Sequence, residues 1–153
     1  MATDRFQETL EALEIMKELE KLVAEFYELC ARSFGQSHEF WTELAREETQ
    51  HAAAIAALAD HMTKKPDQFF PGEPFTLPAL RTFHSKVRSD IQKLHLGTLT
   101  EKDSIFIAYH IENTVIEAKY TQIVTTTDKY YSEVLARLTT AEIDHRERVV
   151  KRM

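Results

Sequence analysis

The sequence predicts an all-α protein, built as a four-helix bundle from two antiparallel helical hairpins. Alanine, leucine, glutamate and lysine are abundant, and the 153 residues include only three glycines and four prolines, a composition that favours helices over a turn-rich sheet protein. Apolar residues recur at three- and four-residue steps through two long segments in each half of the chain. The proline-rich stretch between the halves predicts a long crossover, which should also contain an extra helix.

The first hairpin is predicted over residues 4–63. Helical periodicity extends over about residues 4–34, and Gly35 is well placed to end this helix. Ser37 is a candidate N-cap for the second helix, which should continue to about Met62. Because the connection is only a few residues long, we expect the two helices to be antiparallel neighbours.

The crossover is predicted over residues 64–100. Its first part combines prolines, which break any helix, with three phenylalanines. These phenylalanines are Phe69, Phe70 and Phe75. They are too apolar for a free linker, so we expect them to pack onto the bundle. The extra helix should run from Ala79 to about Leu96 and end at Gly97.

The second hairpin is predicted over residues 101–152. Thr100 and Asp103 have the spacing of a capping box, with Asp in place of Glu, at the start of its first helix. That helix should extend to about Thr126. Asp128 is a candidate N-cap for the last helix of the chain.

Two Glu-x-x-His pairs stand out, one in the second helix of each hairpin. Glu48 and His51 form the first pair, and Glu142 and His145 form the second. Residues three apart share a helix face, so each carboxylate and imidazole can point at the same place. A dinuclear carboxylate centre combines two such pairs with one glutamate from each of the other two helices. One pair alone arises often by chance, but two in equivalent positions predict a metal centre.

The single glutamates are chosen by the helix face on which they lie. Glu20 lies on the apolar stripe of the first helix and Glu112 on that of the third, whereas other glutamates of the first helix lie among charged neighbours. A carboxylate that faces a core is costly unless it is paired or bound to metal. Glu20 precedes Glu48 by 28 positions, and Glu112 precedes Glu142 by 30, which places each single glutamate level with a pair. Glu117 remains a possible additional ligand.

The remaining histidines and the tyrosines match no ligand pattern. We expect the histidines to lie at the surface or behind the ligands, and the tyrosines to be core aromatics. The histidines are His38, His61, His84, His95 and His110, and the tyrosines in question are Tyr27, Tyr109 and Tyr120.

Charge and cysteine content narrow the function classes. The net charge is −6 and no basic face is evident, so we expect neither a nucleic acid nor a membrane as partner. Cys30 is the only cysteine, which excludes an intrachain disulfide and a Cys-x-x-Cys metal site. The polar N-terminal residues lack the apolar region of a signal peptide, and no apolar run reaches the ~18 residues of a spanning helix. We therefore expect a cytoplasmic protein.

With these motifs, the chain resembles the ferritin-like di-iron superfamily and, within it, the rubrerythrin-like group. Glu20 is followed seven residues later by Tyr27, and the segment Leu44-Ala45-Arg46-Glu47-Glu48-Thr49-Gln50-His51 is similar to the group's Leu-Ala-x-Glu-Glu-x-x-His. Glu112 and Glu142-Ile143-Asp144-His145 complete the resemblance, which covers both hairpins. The chain departs from it in two respects: the single cysteine rules out a rubredoxin domain, and Tyr120 follows Glu112 by eight positions instead of seven.

The resemblance implies a ferritin-like bundle with two iron ions, or manganese, at a carboxylate-bridged centre. Glu48 and Glu142 would bridge the metals, and the other ligands would be Glu20, His51, Glu112 and His145. The implied reaction is the reduction of peroxide or oxygen with oxidation of Fe(II), with electrons from an external donor. Three alternatives stay open: an iron-binding or storage protein, a metal-free structural bundle, and a substrate oxygenase with a pocket beside the metals. We expect at least a homodimer.

Overall fold

The computed structural model describes residues 2–72, 77–117 and 122–153, without the side chains of residues 2, 3, 116 and 117. The described chain is mostly α-helical, as predicted. Its helices are α1 (Ala2–Ser33), α2 (His38–Lys64), α3 (Leu77–His95), α4 (Glu101–Glu117) and α5 (Lys129–Val150). Short 3₁₀ helices cover Gly35–Ser37 and Pro66–Gln68, and two strands are present, β1 (Phe69–Pro71) and β2 (Val124–Thr126).

The long helix α1 lies at the middle of the helix packing. It contacts α2 most extensively and α3 next, while α4 packs mainly on α5. Fewer contacts connect α2 with α5 and α1 with α4. Since only a few residues separate α1 from α2, the chain reverses between them and the two helices are antiparallel. The extra helix predicted in the crossover is therefore present as α3, and it covers α1.

Helix ends follow the predicted signals at three positions. The capping box is confirmed, because the Thr100 amide donates to Asp103 Oδ2 at 2.9 Å and the Asp103 amide donates to Thr100 Oγ1 at 3.1 Å. Asp128 caps α5 by accepting a hydrogen bond from the Tyr131 amide at 3.0 Å. Gly97 follows α3 with a φ of 70°, the left-handed conformation expected of a C-terminal glycine.

The loop between α1 and α2 differs from the expectation in its detail. Ser37 occupies the N-cap position of α2, but its side chain makes no capping hydrogen bond. Its hydroxyl instead donates to Glu101 Oε1 and ties the start of α2 to the start of α4. Gly35 lies in the 3₁₀ helix that follows α1, without a positive φ. The α1 terminus at Ser33 therefore does not need a left-handed glycine.

The prediction that the third helix extends to Thr126 is wrong. Helix α4 ends at Glu117, and residues 124–126 form β2. This strand pairs antiparallel with β1, with Phe69 opposite Thr126. The physical reason lies in the run of β-branched residues from Ile123 to Thr127, which favour a strand when an edge is available for pairing. The crossover supplies that edge.

The phenylalanines of the crossover that the structure describes differ in burial. Phe69 is buried and its ring packs against His61 and Tyr131, as expected for a residue that anchors the crossover. Phe70 is 50% exposed, so the expectation that it packs onto the bundle is wrong. It occupies the next position of a strand, where side chains alternate between the two faces. Phe75 lies outside the described residues.

Among the described residues, no helix combines the length and the apolar character that crossing a bilayer requires.

Candidate metal centre

Four helices carry the six predicted ligands, and all six side chains are buried. Helix α1 contributes Glu20, α2 contributes Glu48 and His51, α4 contributes Glu112, and α5 contributes Glu142 and His145. His51 is the most exposed of the six, at 8%. Each lies on an apolar helix face; Glu20, for example, has the buried Met16 and Val23 one turn away. The faces predicted from periodicity are thus the buried ones.

Glu48 connects the two histidines. Its Oε1 atom lies 2.7 Å from His145 Nδ1, and its Oε2 atom lies 3.3 Å from His51 Nδ1. The two imidazole rings stack with their centroids 5.2 Å apart and an interplanar angle of 22°. One ligand atom from each of these three residues lies within 4.8 Å of the others, so together they could hold a metal ion.

Glu112, on α4, contacts the same histidine, His145. Its Oε1 atom lies 3.6 Å from His145 Nδ1 and accepts a hydrogen bond of 2.6 Å from the Tyr27 hydroxyl. Tyr27 is fully buried, as expected for a core aromatic, but it also orients a carboxylate of the centre. Burial raises the pKa of Tyr27 well above its usual value, an effect that the Glu112 and Glu48 charges reinforce, so the hydroxyl keeps its proton and remains a donor.

The other two carboxyl groups differ in how closely they join the cluster. Glu20 lies close enough to Glu48 for each carboxyl group to shift the pKa of the other. Glu142 senses the charges of Glu48 and Glu112, but within the described part of the chain it forms no hydrogen bond or ion pair with the other five residues. The structure therefore links four predicted ligands, Glu48, His51, Glu112 and His145, through direct contacts. Glu20 and Glu142 lie beside them.

Three of the carboxyl groups hold their protons unusually strongly. Burial raises the pKa of Glu20 well above its ordinary value, and the Glu48 charge adds to this effect. The pKa of Glu112 is raised in the same way, by burial and by Glu48. Burial, with the charges of Glu48 and Glu112, raises the pKa of Glu142 to about 9. In the absence of metal these groups therefore limit their mutual repulsion by binding protons.

Glu48 and His145 form the charged pair of the metal-free centre. Burial alone would raise the pKa of Glu48, but hydrogen bonds from Glu20, His145 and His51 hold it well below its ordinary value. Burial would lower the pKa of His145, but hydrogen bonds to Glu112 and Glu48 raise it to about 10. The imidazolium thus occupies a place beside the carboxylates where a metal cation would also be stabilised.

Among the described residues, the basic side chains that contact the buried carboxylates are histidines. In the described ranges, lysine and arginine form no ion pair with Glu20, Glu48, Glu112 or Glu142. A buried carboxylate costs several kcal/mol unless a cation or a set of hydrogen bonds compensates it. Protons and one imidazolium supply that compensation in the metal-free protein. The donor set therefore fits divalent cations, which would replace those protons.

The sequence did not allow the neighbour of His145 Nε2 to be predicted. His145 Nε2 is buried and lies 3.4 Å from Glu47 Oε2, although the geometry is not that of a hydrogen bond. Glu47 in turn accepts from Arg148 at 2.8 Å. Histidine ligands commonly donate their second N–H to a carboxylate, so this arrangement suits an Nδ1 ligand. The only signal in the sequence was the position of Glu47 directly before Glu48.

The other residues considered in the sequence take no part in the cluster where the structure describes them. His61 stacks on Tyr131 and lies 3.4 Å from Asp128. His38 interacts with the Ala31 carbonyl and with Thr42. Glu117 is the last residue of α4, and its side chain lies outside the described residues, as does all of Tyr120. The choice of Glu112 for the third helix thus has support from its position, while Glu117 remains untested.

Because comparisons with known proteins gave no match, the interpretation of the site rests on the residues described above. No protein family matches this chain, and neither the curated proteins nor the solved structures contain a significant match.

Proposed function

We propose that this protein is a non-haem dinuclear metal protein of the ferritin-like, rubrerythrin-like type, which reduces peroxide or oxygen as it oxidises Fe(II). One observation carries the proposal: four buried carboxyl groups and two buried imidazoles from four helices converge without a lysine or arginine partner in the described part of the chain. Two metal ions would be held by Glu20, Glu48, His51, Glu112, Glu142 and His145.

The proposed architecture is a four-helix bundle of α1, α2, α4 and α5, with α3 as the crossover helix. Its support is that each of these four helices contributes a buried ligand candidate. Two of them contribute a single glutamate, and the other two contribute a Glu-x-x-His pair. This distribution is the one that dinuclear carboxylate bundles use.

Iron is the proposed metal, with manganese as the alternative. Carboxylate oxygens suit hard cations, and imidazole nitrogens suit borderline ones, so the mixed set favours Fe or Mn over copper(I). Four carboxylates, if fully deprotonated, balance the charge of two divalent ions. Cys30, the only cysteine of the sequence, is not part of the group of ligand atoms that Glu48, His51 and His145 form.

The residues of the chain would position the ligands and control protons. When bound, the metal ions would supply the electrons for reduction of the oxidant. Glu48, hydrogen-bonded on both of its oxygens, keeps the His51 and His145 rings turned towards the same point. The Tyr27 hydroxyl holds Glu112 in place from α1. Glu142 and Glu20, which retain protons without metal, would release them as the metals bind.

The proposal also includes an external electron donor, a homodimer or larger homo-oligomer, and a cytoplasmic location. We propose an external donor because these 153 residues contain a single cysteine, whereas a rubredoxin domain binds iron with four. Self-association is supported by large apolar side chains at the surface, among them Phe106 at 42% and Leu96 at 76% exposure. A reducing compartment suits a chain whose single cysteine is a free thiol.

The test is anaerobic reconstitution with Fe(II) followed by rapid mixing with hydrogen peroxide. The wild type should bind about two irons per chain, by the ligand count of such centres, and oxidise both. Glu48→Gln removes the carboxylate that contacts both histidines and should abolish stoichiometric binding. Glu25→Gln, the same change at an exposed position of α1, is the control and should bind iron as the wild type does.

Other results would contradict the proposal in recognisable ways. Wild-type protein that binds neither iron nor manganese would favour a structural bundle. Rapid iron oxidation within a large hollow oligomer, detected by light scattering, would favour iron storage. Equal iron content in Glu48→Gln and Glu25→Gln would show that iron binds elsewhere.

A further inference from the structure

A small pocket between α2 and α5 reaches the candidate metal centre. It has a volume of about 290 Å³, and its walls include His51, Ala54, Val134, Leu138 and Ala141. Of the six ligand candidates, His51 is the most exposed, and it lines this pocket. Three larger cavities, two of about 520 Å³ and one of about 530 Å³, have no ligand candidate among their lining residues. Among these four cavities, the pocket between α2 and α5 is the one that a ligand candidate lines.

The pocket has room for more than peroxide or oxygen. A water molecule occupies ~30 Å³ in the liquid, and a two-atom oxidant needs little more. A volume of about 290 Å³ is just below the range of pockets that bind organic ligands, ~300–1,000 Å³. The pocket can therefore accommodate a small organic molecule of several heavy atoms.

The residues that line the pocket indicate which chemical class of molecule it would bind. The walls are largely apolar, and Arg137 lies among the lining residues with an exposed side chain. Within the described residues, no hydrogen bond or ion pair engages Arg137, so its guanidinium is free to bind a carboxylate through two parallel hydrogen bonds. At the other end, behind His51, lies the Glu48 carboxylate, whose negative charge disfavours a second anionic group there.

We propose that this pocket binds a small monocarboxylate with an apolar body. Its carboxylate would pair with Arg137, and its body would lie between Ala54, Val134 and Leu138 and extend towards His51. The role of this molecule as the organic substrate of the metal centre rests on the proposed function. The binding site itself rests only on the pocket, its lining and the free arginine.

The experiment is a titration with hexanoate, with hexanamide as a neutral probe of the same shape, followed by NMR of the His51 side chain. Both metal-free and zinc- or iron-loaded protein are used, and the iron content of every sample is measured. Hexanoate should shift the His51 resonances in the metal-free protein and bind at least about tenfold more tightly than hexanamide, a ratio equivalent to ~1.4 kcal/mol.

Two variants with matched controls assign the effect to the pocket. Arg137→Gln should weaken hexanoate about tenfold without weakening hexanamide, whereas Arg46→Gln, at an exposed arginine that lines a different cavity, should change neither. Ala54→Leu should fill the pocket and exclude both probes. Ala53→Leu, one residue earlier on the exposed side of α2, should leave both unchanged.

The outcomes separate this proposal from the proposed function. Iron binding without any response to hexanoate, or equal hexanoate affinity in Arg137→Gln and Arg46→Gln, overturns the pocket and leaves the metal centre in place. A response to hexanoate with the expected variant pattern, in a protein that takes up no iron, supports the binding site and overturns the proposed function. Weaker hexanoate binding in Arg137→Gln and loss of binding in Ala54→Leu, with full iron content in both variants, support both proposals.

Discussion

Tyr27 combines a core position with a polar contact to the candidate metal centre. Its ring lies 5.7 Å from that of Trp41 in the core, while its hydroxyl donates a hydrogen bond of 2.6 Å to Glu112. A buried donor and acceptor that satisfy each other are costly to separate, because neither can turn to water. Tyr27 thus fixes one ligand candidate of α4 from α1.

We predict that Tyr27→Phe destabilises the metal-free protein by ~1–3 kcal/mol, since it leaves a buried carboxyl oxygen without its donor. Urea denaturation followed by circular dichroism measures this change. Tyr109→Phe is the matched control, because the Tyr109 hydroxyl forms no hydrogen bond among the described residues. Equal unfolding free energies for the two variants would show that the Tyr27 contact adds nothing to stability.

Cys30 is a second residue whose surroundings give a testable property. It is fully buried, and burial raises its pKa to about 12. The thiol therefore stays protonated at neutral and mildly alkaline pH, and only the thiolate reacts with disulfide reagents. We predict that 5,5′-dithiobis(2-nitrobenzoate) at pH 8 leaves the native thiol unmodified and labels it rapidly in urea. Fast labelling of the native protein would contradict this packing.

At the scale of the elements, the side-chain caps at the starts of α4 and α5 are the best predicted features. The reciprocal hydrogen bonds of Thr100 and Asp103 and the cap from Asp128 depend on residues three positions apart. Such signals are complete within a short stretch of sequence. The strand β2 is different, because it forms only where β1, more than fifty residues earlier in the chain, offers an edge. The pairing could not be seen in either segment alone.

Two glycines at helix ends make a paired prediction. Gly97→Ala should cost about 1–2 kcal/mol, because a φ of 70° strains any residue with a Cβ atom. Gly35→Ala should be neutral or stabilise by up to ~1 kcal/mol, because Gly35 has no positive φ and an added Cβ would meet nothing within 4 Å. Thermal unfolding of both variants gives the comparison, and a larger loss in Gly35→Ala would contradict the assigned helix ends.

At the scale of the whole molecule, the buried charges make stability depend on pH. Glu142 has a pKa of about 9 in the folded metal-free protein, and His145 has one of about 10. Both values lie above those of the unfolded chain, so the folded state binds more protons between pH 7 and 9. The stability that these protons provide is fully present at low pH and is lost as the pH rises through the folded values.

We therefore predict that the unfolding free energy of the metal-free protein falls between pH 7 and pH 9. Each group contributes up to ~1.4 kcal/mol per pH unit. Bound metal displaces the protons, so metal-loaded protein should show a smaller dependence. Denaturant titrations at several pH values measure both slopes. A metal-free protein whose stability is constant or rises over this range would contradict the electrostatic description of the centre.

The burial of the six ligand candidates could be predicted from the sequence, but their contacts could not. Periodicity identifies which face of a helix is apolar, and Glu20 and Glu112 both proved to be buried for that reason. The approach of Glu47 to His145 depends on how α2 and α5 are rotated against each other. The pocket that reaches His51 depends on the same packing. The spacing of residues within one helix does not determine how two helices are rotated against each other.

We propose that six buried residues from four helices hold two metal ions. The most direct test is a crystal structure of protein reconstituted with Fe(II), with anomalous diffraction data collected on both sides of the iron absorption edge. We predict two iron peaks per chain, in contact with Glu20, Glu48, His51, Glu112, Glu142 and His145. An absence of iron at these residues in crystals that contain iron elsewhere, or crystals that take up none, would contradict the claim.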